Sequence, residues 1–575
     1  MAAPEHSAFN LPPEFTGLIL GGTILDVEQV AGRSGMSLWP PSRAVDYIAA
    51  SALKEELANA GELALLDVRE QGPYGEGHPF HAVNLAYSRL EFEVRRLLPN
   101  PAVQIVLVDD GCGDTLALRA AHRLQAMGYV NVRVLKDGTH GWCAAGYTLF
   151  KGVYVPSKTF GELVEIQCHT PRITAKDLNA MIQRGDDIIV LDGRPRSEYA
   201  KMTIPGAVCC PNAELAYRLH RLAPETSTTV VVNCAGRTRS IIGAQSLINL
   251  TTRPRIFALE NGTQGWFLND FPLELNSDRL YPEVSEADGP LADVRHKAAG
   301  LAHAWGVQRI TADQFRLWRL DPTRSTYFFD IRTPEEFAGK PSPGALHAEG
   351  GQLVQATDLY VGVLHARIVL FDTDGIRAPL IGSWLAQMGY ETCLLPSEEA
   401  LSAEEIKPLH DEKLETTLLP ELKPDEYCAL DGAVITIDLR SSMAFRAGHI
   451  RGSVWSTRSR LRACVDAQSA QMGQASAPIV LVASHPGIAA LAASELSSPQ
   501  LQRCRCIIAD SATLARYGPN IDSTPDHPAN ADCLDYLFFA HDRHNGNKLA
   551  ATQYLQWEQN LVSQLDHQER SSFKI

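Results

Sequence analysis

A short apolar strand ending in Asp-x-Arg occurs four times in this chain, and that repetition limits what the chain can fold into. The four instances end at Asp67-Val68-Arg69, Asp192-Gly193-Arg194, Asp330-Ile331-Arg332 and Asp438-Leu439-Arg440. A small-residue turn follows each, at Gly77-His78, Pro205-Gly206-Ala207, Pro343-Gly344-Ala345 and 448–452. A second apolar strand comes next, at 105–108, 230–232, 368–371 and 479–482. Each leads through a polar loop into an Ala/Leu-rich helical pattern, at 116–127, 241–250, 379–388 and 489–496. In the first three units the spacing holds at 42 positions, from Asp67 to Asp109, Asp192 to Cys234 and Asp330 to Asp372. A period of this kind marks tandem units, and strands alternating with helices imply parallel sheets flanked by helices. The expected fold is therefore α/β, in four tandem domains. The expected boundaries are 42–150, 151–280 with its linker, 300–400 and 415–520. Residues 1–41 form an N-terminal extension, with a short strand possible at 18–24, and residues 521–575 form a C-terminal helical tail. Residues 549–565 have helical periodicity and are expected to pack back on a domain or on a second subunit.

Cys234 carries the chemistry. The run Val230-Val231-Val232-Asn233 delivers it to the turn Ala235-Gly236-Arg237-Thr238-Arg239, and a helical segment starts at Ser240. Backbone N–H groups, the positive end of a helix and two guanidinium groups converge on a thiol so placed. Each favours thiolate, so its pKa should be depressed and its sulfur reactive. At the same register the other units carry Asp109, Asp372 and Ala483, none of which offers a thiol. Cys112 lies three positions into the first loop among carboxylates, which oppose a thiolate.

Composition excludes several classes. A formal charge of −15 argues against nonspecific binding to nucleic acid or to an anionic membrane. No apolar run approaches the ~20 residues of a membrane span. Residues 1–13 lack the basic and apolar regions of a secretory signal. The 12 cysteines include no CxxC pair, which fits reduced thiols in the cytoplasm. His527, Cys533, His541 and His544 match no zinc spacing, and neither metal nor cofactor is expected.

The strand end, the turn, the Cys loop and a closing Gly-x-x-Gly-Trp at 138–142 and 262–266 resemble, in that order, the rhodanese family. Units three and four lack the last element and are the more divergent pair. The resemblance implies a sulfurtransferase that moves sulfane sulfur from thiosulfate, or a related donor, through a Cys234 persulfide to cyanide or a thiol. Ala235, Gly236, Arg237, Thr238, Arg239 and Ser240 would then hold the donor, with Trp266 near the site. Between the two arginines, Arg239 is favoured for substrate contact, and Ser240 is expected to cap the helix. Units one and two are expected to pair, the inactive first forming one wall of the cleft, with units three and four as a second, inactive pair. Asp192 and Arg194, repeated in every unit, read as a buried scaffold pair. Alternatives are a persulfide carrier that relays sulfur to a protein partner and a 3-mercaptopyruvate sulfurtransferase. Phosphatases and arsenate reductases of this fold use a loop one residue longer, and here the residue six past Cys234 is Ser240 rather than Arg.

Overall fold

The computed structural model describes residues 44–112, 116–284, 291–396, 401, 418–430, 432–510, 513–517, 521–544 and 546–575. The 1–41 extension and the strand considered at 18–24 lie outside them. Each of the first three units is a five-stranded sheet with one strand order, first–fifth–fourth–second–third. Every strand pair within these sheets is parallel. The fourth unit keeps the order but not the first edge strand, which is reduced to a bridge between Glu421 and Cys506. The chain is thus α/β, built as four tandem parallel sheets flanked by helices.

Central strands covered on both faces need apolar residues at every position, not alternation. Thr229–Asn233 (Thr-Val-Val-Val-Asn) and Leu63–Asp67 (Leu-Ala-Leu-Leu-Asp) are buried throughout. Their pairing fixes the comparison between units: Asp67 lies opposite Val108, Asp192 opposite Asn233, Asp330 opposite Phe371 and Asp438 opposite Val482. The next residue along the chain is Asp109, Cys234, Asp372 or Ala483, so these four share one place in the fold.

Asp192 and Arg194 form the buried scaffold pair. Arg194 donates to both carboxylate oxygens at 2.8 and 2.7 Å and to Met202 O at 2.7 Å. The other units repeat this, with Arg69 also reaching Gly77 O, Arg332 reaching Lys340 O and Arg440 reaching Gly448 O. In each unit the arginine pins the turn that follows the helix after its strand.

One apolar cluster runs from the first unit through the third, and the fourth has its own. The observed pairing differs from the expected one. Unit two faces unit three: the helices Glu214–Leu222 and Thr238–Leu250 pack against Leu291–Ala304, Gly350–Gln355 and Arg377–Gln387. Unit four docks on unit one through a buried ion network in which Arg458 donates to both oxygens of Glu91, at 2.6 and 2.9 Å. Within the same network Arg119 reaches Glu495 at 2.6 Å. Spacing along the chain reports repeats but not which helix faces meet, and here the complementary charges decide.

The tail folds back on its own chain. Its helix Lys548–Gln564 packs on the linker helix Val155–Cys168, burying Tyr554, Leu555 and Leu561 and leaving Leu549 exposed. Beyond that helix, Lys54 of unit one holds Asp566 and Glu569 at 2.6 and 2.8 Å. No helix among the described residues is long and apolar enough to cross a membrane.

Candidate active site

Strand Thr229–Asn233 ends directly in Cys234, and helix Thr238–Leu250 begins four residues later. The loop is anchored at both ends. Asn233 Nδ2 donates to Asp192 Oδ2 at 2.8 Å, tying the strand end to the scaffold pair. The carbonyl of Cys234 accepts Thr263 N at 2.7 Å and Thr263 Oγ1 at 3.0 Å, and Ala235 O accepts Gln264 N at 3.1 Å. Thr263 belongs to the Gly-Thr-Gln-Gly-Trp helix, Gly262–Leu268. Gly262 has φ +54, and a Cβ there would sit 2.3 Å from Cys234 O, so the close approach needs glycine. Unit one repeats the anchor, Thr139 N donating to Asp109 O at 2.9 Å.

Cys234 is buried, with its Sγ 3.6 Å from Ser240 Oγ. Ser240 does not cap the helix. The helix starts two residues earlier, at Thr238, and the Ser240 hydroxyl donates back to Arg237 O at 2.7 Å. A helix N-terminus so close behind the thiol supplies positive potential to an anionic sulfur.

The two arginines divide their work. Arg237 donates from Nε and Nη2 to Glu162 at 2.7 and 2.8 Å, and from Nη2 to Glu165 as well. This ties the loop to the linker helix. Burial pushes the Glu162 carboxyl up to about 7 even against the Arg237 hydrogen bonds. Arg239 donates from Nη1 and Nη2 to Glu198 at 2.8 and 2.7 Å, and from Nη1 to Gln352 Oε1 of unit three at 3.0 Å. Its Nε is buried and has no acceptor among the described residues. A buried donor left open beside a thiol suits an anion.

Unit three therefore reaches the Cys234 loop, where the sequence pointed to unit one. The C-terminal helix reaches it too. Glu558 pairs with Lys158 at 2.7 Å, and a Cβ on Gly236 would lie 2.7 Å from Glu558 Oε2. Burial opposes ionisation of Glu558, but Lys158 holds its carboxyl below the ordinary range. Trp266 lies in the apolar cluster with Leu178, Val190 and Val231, and its indole donates to Pro272 O at 2.8 Å. Trp142 makes the same kind of bond to Thr148 O in unit one, which has no cysteine at the loop position. Ala235, Thr238 and Ser240 are buried with the loop, and Thr238 Oγ1 has no partner among the described residues.

Other thiols are poor rivals. Burial pushes Cys209, Cys504 and Cys506 up to about 12 and Cys393 to about 11. Cys112 is exposed, 3.7 Å from His140 Nδ1. Among the described residues no group of three or more His, Cys, Asp or Glu is placed to hold a metal ion.

Glu198, Glu162, Gln352 and Glu558 were not among the sequence candidates. A signal existed for Glu198. It lies six positions past Asp192, and Glu336 lies six past Asp330, in the two units that carry an arginine five past the Cys234 register. Pro73 with Asp114, and Ala444 with Ile488, stand there in units one and four.

The sequence matches the rhodanese-like domain family at residues 49–145 and 174–269. A solved structure of thiosulfate sulfurtransferase from Pseudomonas aeruginosa is similar over 92% of this chain and 100% of its own, at 34% identity and a TM-score of 0.83. The 3-mercaptopyruvate sulfotransferase SseA from Escherichia coli is 19% identical over 40% of this chain and 99% of its own, with a TM-score of 0.22. A rhodanese-related protein from Thermoplasma volcanium is 28% identical over 18% of this chain and 98% of its own, with a TM-score of 0.16. No curated protein matches the sequence. The repeated sheets, the Cys loop and the relative matched along nearly its whole length place this chain in the rhodanese-like sulfurtransferase family.

Proposed function

We propose that the protein transfers sulfane sulfur from thiosulfate, or a closely related donor, to cyanide or a cellular thiol through a persulfide on Cys234. The observation that carries this reading is the fourfold comparison: one loop position is sampled in four units, and it holds sulfur only at Cys234. The Pseudomonas aeruginosa relative is a thiosulfate sulfurtransferase, which supports the choice of donor.

The thiolate of Cys234 attacks the outer sulfur of thiosulfate. The S–S bond of the donor breaks, sulfite leaves with its bonding electron pair, and a Cys234 persulfide remains. The acceptor nucleophile then attacks the terminal sulfur and the thiolate is regenerated, a double displacement in which no net electrons enter or leave. The inactive units indicate where the loop amides point. Asp372 accepts Gly375 N at 3.0 Å and Ala378 N at 2.7 Å, and Asp109 accepts Gly111 N at 2.9 Å and Ala117 N at 2.8 Å. An anionic sulfur on Cys234 would likewise take amides of its own loop, as an oxyanion hole takes oxygen. Arg239 Nε supplies a charge-assisted donor to the sulfite moiety. Arg237, tied by Nε and Nη2 to Glu162 and Glu165, holds the loop.

A persulfide carrier serving a protein acceptor is the second reading, favoured by the near-complete burial of Cys234. Mass spectrometry after thiosulfate treatment tests both. The wild type should gain one sulfur atom that Cys234→Ser does not, and loading that persists in the variant moves the chemistry to another cysteine. Multiple turnovers with cyanide or glutathione select the enzyme, and a stall after one sulfur selects the carrier.

A further inference from the structure

Units two and three meet about a pseudo-twofold relation that the hydrogen bonds spell out. Arg239 of unit two reaches Gln352 of unit three, and Arg377 of unit three reaches Glu214 of unit two at 2.7 Å. Arg239 lies five positions past Cys234, and Arg377 five past Asp372. Gln352 and Glu214 each lie 22 positions past the strand-end aspartate of their own unit. Glu198 and Glu336, likewise equivalent, hold the two guanidinium groups bidentately.

The two halves differ in charge. Arg377 is fully buried and meets three carboxylates, Glu214, Glu336 and Asp374, which leave no nitrogen unused. Arg239 meets one carboxylate, Glu198, and the neutral amide of Gln352, and its Nε stays open.

We propose that Gln352, supplied by the third unit, is a positioning residue for the chemistry at Cys234. It fixes Arg239 through an uncharged acceptor, so that Glu198 is the one carboxylate drawing on the guanidinium charge and Nε stays open to the sulfur and its donor. The proposal rests on reading Cys234 as the sulfur carrier, and it gives unit three a part in the reaction.

The other charges around the loop are already matched. Arg237 is held by Glu162 and Glu165, Glu558 by Lys158, and Asp192 by Arg194. Glu349, at the start of the Gln352 helix, is pushed up to about 7 by burial. The Arg239–Glu198 pair is thus the one whose balance a charge at 352 alters. Burial opposes the Arg239 charge, and Glu198 first, then Cys234, holds the guanidinium protonated.

The test is the pH profile of Cys234 alkylation by iodoacetamide, read by peptide mass spectrometry in the full chain. Gln352→Glu should move the midpoint upward and slow alkylation at pH 7 roughly tenfold. Gln352→Ala should keep the wild-type midpoint but raise KM for thiosulfate, because Arg239 loses a tether. Glu214→Gln, the symmetry-related change, should leave the profile untouched, and melting curves check the fold of each variant. An unshifted profile in Gln352→Glu overturns the proposal, and so does an equal shift in all three variants. Alkylation does not depend on the donor. A shifted profile in a protein that takes no sulfur from thiosulfate therefore faults the choice of donor and leaves the role of Gln352 standing.

Discussion

Glu198 accepts both terminal nitrogens of Arg239, at 2.8 and 2.7 Å, and holds the guanidinium at the end of the Cys234 loop with its Nε uncommitted. A lysine cannot span two carboxylate oxygens in that plane and still present a third donor. Arg239→Lys should therefore keep the fold and lower kcat/KM for thiosulfate by about 100-fold, the usual loss for one anion-hole donor. Steady-state kinetics with cyanide as acceptor checks this, and an activity within a few-fold of wild type removes Arg239 from substrate contact.

Arg237 should show the opposite profile. Its loss strands Glu162 and Glu165 beside a buried loop, and breaking such a pair costs about 3–5 kcal/mol. Arg237→Ala should lose that much stability in urea denaturation at pH 8. The loss should be smaller at pH 5, where Glu162, pushed up to about 7 by burial, is protonated in the folded protein. Equal losses at both pH values would rule out the carboxylates as the cause.

Away from the site, Glu70 tests the same physics without an arginine. It is buried, Ser88 Oγ donates to its Oε2 at 2.9 Å, and its Oε1 has no partner among the described residues. Burial pushes its carboxyl up to about 7. A folded pKa above the unfolded one means that the native state binds the extra proton. The associated stability is complete below the unfolded value of about 4.3 and is lost as pH rises through about 7. Glu70→Gln should therefore match wild type at pH 4 and exceed it by about 1–3 kcal/mol at pH 8. Denaturation curves at the two pH values decide it, and a variant less stable at pH 8 contradicts the sign.

Much of this was legible because the chain carries its own comparison. Four Asp-x-Arg strands, three of them at one spacing to the next loop, pointed to the parallel sheets and to the register that sets Cys234 against Asp109, Asp372 and Ala483. Local chemistry also placed the scaffold pair, since a buried aspartate two residues before an arginine has one obvious partner. What stayed hidden depends on surfaces meeting far apart in sequence. Gln352 and Glu558 carry no local mark of the Cys234 loop, and the pairing of unit two with unit three rests on charges matched across a fold not yet formed. The role of Ser240 was missed by two residues of helix start, a boundary that no capping side chain marks.

The fourfold comparison makes one more demand, on unit three. Asp372 occupies the place of Cys234, its carboxylate already takes two loop amides, and an arginine stands five positions on. Loop geometry alone would let Asp372→Cys act as a second sulfur carrier. The surrounding charge argues otherwise. Every nitrogen of Arg377 is committed to Asp374, Glu214 or Glu336, so no donor remains for a sulfite moiety. Burial, and after it the neighbouring Asp374, opposes charge at this position and pushes the Asp372 carboxyl upward. A thiol introduced here should be held protonated for the same reasons. In a Cys234→Ser background, Asp372→Cys should gain no sulfur from thiosulfate at pH 7. Adding Glu214→Gln and Asp374→Asn should open Arg377 and allow partial loading, seen as one added sulfur by mass spectrometry. Full loading of Asp372→Cys alone would mean that loop shape suffices, and that the open Nε of Arg239 is not what distinguishes the active unit.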